Sequence, residues 1–201
     1  MCKQGVIMFS KLGLKGQGLI KAVLIIVAGV FVLSGCASRD PRLLEALKGT
    51  RVAEVRVEAT PDVGTGLPMI NGKTPEQQVA IVTTALRQVA SRDLMGYPGG
   101  STPARLVITL QQADLASEQG RVILSSDSWI RGTVRLEDIK TGRLIAQNPR
   151  IVGQNRGVKG DGLGIVVAMA INAAMTKSQE HLAEKLAADF TANTKKWLTP
   201  K

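Results

Sequence analysis

"WIRGTVRLEDIKTGRLIA", residues 129–146, is the stretch on which the fold turns. Ile130, Gly132, Val134 and Leu136 alternate with Trp129, Arg131, Thr133 and Arg135. A period of two puts one set on each face of a β-strand, so this strand is half buried. Lys140-Thr141-Gly142 then interrupts the pattern, and its glycine accepts the positive φ that a short hairpin loop requires. A further strand starts near Arg143 and meets Pro149, which suits an edge strand or a bulge. Such a hairpin has one apolar face, and helices on that side alone satisfy it.

The flanking sequence supplies those helices and more strands. Upstream, Leu106, Ile108 and Leu110 alternate with Arg105, Val107 and Thr109 to give a strand, followed by a polar stretch, Gln111 to Gly120. Earlier still, Ala53, Val55, Val57 and Ala59 alternate with Glu54, Arg56 and Glu58 in another, with Thr60 to Lys73 read as loop. Between these strands lies Thr74-Pro75-Glu76-Gln77, which provides an N-cap, a proline at the first helical position and a glutamine at the capping-box position. Val79, Val82, Leu86 and Val89 follow at helical spacing, and the helix ends near Leu94. Downstream, a Gly-rich stretch from Gly157 to Gly164 leads into a run that is apolar all round, Ile165 to Met175. The pattern becomes amphipathic from Ser178 through Leu182, Leu186, Phe190 and Trp197. The expected order is β-α-β-β-β-α. This is an α+β two-layer sandwich, with about four mainly antiparallel strands and two helices on one face.

The amino-terminal region reads differently. Lys3, Lys11, Lys15 and Lys21 precede an apolar stretch from Ala22 to Leu33, then small residues, which is the layout of a secretory signal peptide. The apolar stretch covers only about 18 Å as a helix, against the ~30 Å of bilayer hydrocarbon. Leu33-Ser34-Gly35-Cys36 resembles the lipobox of bacterial lipoproteins. That resemblance implies cleavage after Gly35, diacylglycerol on the Cys36 thiol and an acyl chain, such as palmitate, on the new amino terminus. Ala37 stands where enteric-type sorting would need aspartate for inner-membrane retention, so the implied location is the periplasmic leaflet of the outer membrane. Met8 is an alternative start. The expected organisation is a signal peptide over 1–35, a lipidated tether over 36–50 and a single domain over 51–201.

The only cysteines of the 201-residue chain are Cys2 and Cys36, so no disulfide framework is available to the mature part. Setting aside the four signal lysines, 22 basic residues face 16 acidic ones, and the partners should lean anionic. With aromatics at 3% and no nucleic-acid-binding motif, anionic lipid, glycolipid or the acidic rim of an envelope protein fits better than nucleic acid. His181, the single histidine, sits mid-helix in "QEHLAEKL", one position before an apolar-stripe leucine, and reads as a helical surface or boundary residue. Glu137-Asp138 and the pair Glu54 and Glu58 read as solvated acids on strands and turns. "GVKGDGLGI" (157–165) lacks the Gly-Lys-Ser/Thr ending and the dinucleotide spacing, and reads as a flexible connection. Neither enzymatic activity nor a cofactor or metal is expected, beyond the lipid on Cys36.

Two features point outward. Trp129, Arg131 and Arg135 lie on the strand face away from the helices, and tryptophan and arginine are the residues most enriched at interface hot spots. They are the candidate site for a partner or an anionic headgroup. The run Ile165 to Met175 is the second, although burial inside the domain is the expected outcome for a helix apolar on all sides. The element order resembles that of LptE-like lipopolysaccharide-assembly lipoproteins, auxiliary lipoproteins of lipid-transport ABC systems, and the amino-terminal domain of the curli-secretion lipoprotein. It implies a non-enzymatic accessory or adaptor of an envelope complex, or alternatively an anionic lipid or glycolipid-binding module.

Overall fold

The structure is a computed structural model that describes residues 41–65, 73–175 and 178–199. The stretches read as signal peptide and lipobox, with Cys36, lie outside the described residues. From Asp40 onward the chain forms one compact unit. Helix α1 (Pro41–Gly49) leads into β1 (Thr50–Thr65), α2 (Pro75–Leu94), β2 (Thr102–Asp114) and α3 (Glu118–Leu124). Then come β3 (Ser128–Asp138), β4 (Leu144–Asn155), α4 (Gly164–Met175) and α5 (Gln179–Leu198).

The strands form one sheet in the order β1-β2-β3-β4. β2 pairs antiparallel with β3, and β3 with β4, as the hairpin reading required. β1, however, pairs parallel with β2, so the sheet is mixed. The cause is α2: a helix of 20 residues, about 30 Å long, returns the chain to the end of the sheet at which β1 began. The expectation of two helices also falls short. α2 and α5 pack on each other and form the layer over the sheet, α2 against β1 and α5 against β4 and β3, while α1, α3 and α4 are additional.

The hairpin closes as its residues dictate. Asp138 Oδ1 accepts from the N–H groups of Lys140 and Thr141, and Gly142 holds φ at +70°. The α2 capping box also forms. Gln77 N–H donates to Thr74 Oγ1 at 3.3 Å, and Thr74 N–H donates to Gln77 Oε1 at 2.9 Å.

One core lies between sheet and helices. Val52 and Val57 of β1, Leu106, Ile108 and Leu110 of β2, and Ile130, Val134 and Leu136 of β3 meet Leu86, Leu182, Leu186 and Phe190. Two irregularities adjust the expected register. Between Val52 and Glu54 the pairing slips, so Ala53 is an extra residue, and Val52 joins Val55 and Val57 in the core. β1 also runs on through Pro61, which the reading of 60–73 as loop excluded; an edge strand tolerates proline because one side of it needs no ladder donor. Helix α1, read as the end of the tether, contributes Leu47 to the core.

β4 is the other edge, and α5 covers part of its outer rim. Gln154 N–H donates to Asp189 Oδ2 at 2.9 Å, and Asn193 Nδ2 donates to the carbonyl of Val152 at 2.9 Å. Capping these groups removes part of the template that an open strand offers to another chain.

Candidate functional site

The sheet face away from the helices carries the candidate residues, and the register divides them into two groups. In the middle and at the β1-start end, charges pair with one another. Arg105 Nε donates to Glu54 Oε2 at 2.8 Å, and Arg135 lies 3.4 Å from Glu58 and 3.3 Å from Glu137. Thr109 adds a hydrogen bond to Glu58 at 3.2 Å, and Gln111 one to Thr133 at 3.1 Å. Beneath this lattice Val107, opposite Arg56 on one side and Arg135 on the other, is only 2% exposed. The face that has no helix over it is covered by its own long side chains. Arg135 is engaged in this lattice.

Trp129 and Arg131 lie at the other end, with Arg135 about 20 Å from Trp129 along the strand. The Arg131 guanidinium sits over the Trp129 ring, 5.7 Å from its centroid. Trp129 is in register with Asp114 and Gln154, and its side chain donates a hydrogen bond to the Asp114 carboxylate. Burial pushes the Asp114 carboxyl above the usual range, and the Trp129 hydrogen bond works against that rise.

Beside the tryptophan opens a cavity of about 650 Å³, lined by Asp127, Ser128, Trp129, Gln154, Arg156, Gly157 and Lys159. Its outer wall is the loop after β4. Asp127 holds that loop by accepting from Gly157 N–H at 3.1 Å and lying 3.8 Å from Lys159. Arg156 rests on Gln154, with Nε 3.4 Å from its Oε1. The Gly-rich stretch read as a flexible connection is thus one wall of a cationic groove. Two of its N–H groups, those of Gly157 and Val158, are directed to Asp127 and Asn172.

Sequence reasoning missed Arg156 and Lys159, because nothing in the pattern showed that the loop after β4 folds back beside Trp129. The acids read as solvated are engaged within the fold: Glu54 and Glu58 in the lattice, Glu137 with Arg135, and Asp138 in the hairpin turn. His181 is exposed near the start of α5, 3.7 Å from Glu184. Among the described residues no cluster of three or more His, Cys, Asp or Glu is placed to hold a metal.

Comparison with known proteins assigns no family to the chain. No family model matches the sequence, and no curated protein does. Among solved structures, a candidate lipoprotein from Caulobacter crescentus CB15 is similar at 15% identity over 79% of this chain and 97% of that one, with a TM-score of 0.30. A PelC dodecamer from Paraburkholderia phytofirmans is similar at 13% identity over 71% and 92%, with a TM-score of 0.32. A DUF330 protein from Xanthomonas campestris is similar at 11% identity over 74% and 89%, with a TM-score of 0.31. At these scores none of the three assigns a function.

Helix α4 completes this end of the molecule, and here the expected internal burial fails. Among the helix's described side chains only Ala168 and Asn172 are buried, whereas Leu163, just before the helix, is 92% exposed, Val166 67% and Val167 60%. The helix packs against the short α3 and lies off the main layer. A single polar side chain pins it: Asn172 Oδ1 accepts from Val158 N–H at 2.8 Å, and its Nδ2 donates to the Val158 carbonyl at 2.9 Å. Val158 precedes Lys159 of the groove, so the apolar helix and the cationic groove share one loop.

Proposed function

We propose that this chain is a lipid-anchored outer-membrane protein whose domain acts as a non-enzymatic accessory or adaptor in the cell envelope. The observation that carries the reading is the ordered, outward-facing apolar helix α4 beside the Trp129 groove. A surface of that kind is built to be covered by something else. The lipobox Leu33-Ser34-Gly35-Cys36 supplies the compartment, with Cys36 as the anchor and no further cofactor. Acyl chains on Cys36 keep the domain at the leaflet, at about 0.8 kcal/mol per buried methylene.

A second reading, an anionic lipid or glycolipid-binding module, is favoured by Arg131, Arg156 and Lys159 around one aromatic ring. Affinity purification of the lipidated chain from crosslinked envelopes, with mass spectrometry of protein and lipid, separates the two. A stoichiometric envelope protein supports the adaptor, and enriched anionic lipid without protein supports the module. A free thiol on Cys36 in the purified chain overturns the anchor.

A further inference from the structure

We propose that the end of the domain formed by α4 and the Trp129 groove docks onto the surface of a bilayer that contains anionic lipid. The inference deepens the lipid-binding reading and relies on the Cys36 anchor only to bring the domain to its leaflet. Its first support is the composition and placement of α4. The segment GIVVAMAINAAM contains no charged residue, and its one buried polar group, Asn172, is used to fasten it to the loop. Ile165, Val166, Val167 and Ile171 are left in water together with Leu163. Twelve residues give about 18 Å of helix, which suits lying in the interface and not crossing the hydrocarbon. An interfacial helix normally has its own cationic polar face. Here the neighbouring loop and strand provide it, as Arg156, Lys159 and Arg131.

Charge complementarity selects the occupant. The acids near these cations are Asp127, which is tied to Gly157 and Lys159, Asp114, which takes the Trp129 hydrogen bond, and Asp161 on the loop before α4. Among the described residues Arg131 contacts the tryptophan ring and Arg156 the neutral Gln154. A second copy seated α4 against α4 would bring two such cation sets together. A free anion would satisfy the cations and leave the aliphatic side chains in water. An anionic bilayer surface accepts both: aliphatic groups below the headgroups, Trp129 at their level, and long cationic side chains reaching to phosphate.

The topology adds an orientation. α1 enters β1 at the end of the sheet where β3 finishes, through the pairings Thr50↔Thr102 and Ala104↔Asp138. α4 packs on α3, at the end where β3 starts. The two ends are separated by the length of β3, 11 residues or about 36 Å. A domain anchored near α1 and docked through α4 therefore lies along the leaflet.

The test uses the full lipidated chain reconstituted in two kinds of vesicle, phosphatidylcholine alone and equal parts phosphatidylcholine and phosphatidylglycerol. Flotation and the intact mass of Cys36 report the anchor, and hydrogen exchange over residues 163–175 reports the docking. Docking gives exchange at least about tenfold slower on the anionic vesicles. The protection is lost in Arg131→Glu/Arg156→Glu/Lys159→Glu and in Val166→Ser/Val167→Ser, and kept in Arg150→Glu, which changes an exposed cation elsewhere. Equal exchange on both vesicles in a chain that floats through an acylated Cys36 overturns the docking and leaves the anchor standing. Protection that grows with protein density and ignores lipid charge also overturns it, in favour of a second copy. A chain with unmodified Cys36 whose α4 is still protected on anionic vesicles supports the docking and removes the anchor.

Discussion

Gly153 is where the edge strand and the last helix touch. A Cβ placed there would lie 2.3 Å from the Leu186 carbonyl oxygen and 2.9 Å from Phe190 Cβ. Gly153→Ala must push α5 away from β4, and is expected to cost about 1–3 kcal/mol, measured as a lowered midpoint of thermal or urea unfolding at unchanged secondary structure. Asp114 provides a second residue-scale test with a sign. Its carboxyl is held above its ordinary value of 3.8 by burial, so the folded chain binds more protons than the unfolded one in that window. Asp114 therefore weakens the fold as pH rises through the raised value. Asp114→Asn keeps an acceptor for Trp129 and is expected to flatten this part of the stability–pH curve, with little change below pH about 3. Neither residue could be singled out from the sequence. A glycine in an alternating strand and an aspartate at a strand end acquire their roles only from what packs on them.

At the scale of elements, the contrast between α4 and its fastening is the informative one. Asn172→Ala leaves the N–H and carbonyl of Val158 without their partner and is expected to cost about 1–3 kcal/mol, loosening the loop and the helix together. Val166→Ser/Val167→Ser alters exposed positions and is expected to change stability by less than about 0.5 kcal/mol per site. Hydrogen exchange resolves the two cases, with faster exchange over residues 157–175 in the first and none in the second. If the serine pair destabilised as strongly as Asn172→Ala, α4 would be a core helix after all. Much at this scale was legible in the sequence. The hairpin over 129–146, the capped helix from Thr74 and the amphipathic helix from Ser178 follow from local periodicity and capping chemistry, which act within a few residues. Helix α3 was not legible, because Gln111 to Gly120 reads as polar linker while β2 extends through Asp114. Composition also could not tell an apolar helix inside from one outside, since hydropathy records preference and not what is available to cover the helix.

For the whole molecule, charge links elements distant in sequence. The Lys73–Glu180 ion pair joins the start of α2 to the start of α5. The Lys73 ammonium, with help from backbone and Ser178 hydrogen bonds, lowers the Glu180 carboxyl from its ordinary value to about 2. A depressed folded-state pKa contributes stability that is present above the unfolded value of about 4.5 and is lost as pH falls toward 2. Both side chains are substantially exposed, so screening keeps the contribution below about 1 kcal/mol. Glu180→Gln is expected to lower the melting temperature slightly at pH 7 and not at all near pH 2, and raised salt should shrink the difference. The same long-range logic produced the mixed sheet. β1 is parallel to β2 because α2 spans the sheet on its way back, whereas β3 and β4 are antiparallel because only a tight turn joins them.

The sequence by itself determined the elements with local causes, namely the strand alternation, the caps, the turn at Gly142 and the apolar character of α4. The tertiary structure decided what those elements face. It placed Arg135 in an ion-pair lattice and Arg131 on Trp129, six and two residues along one strand, and it brought Arg156 and Lys159 beside that ring. It also left α4 in water. Periodicity assigns a residue to a face, but only chain topology assigns that face a neighbour.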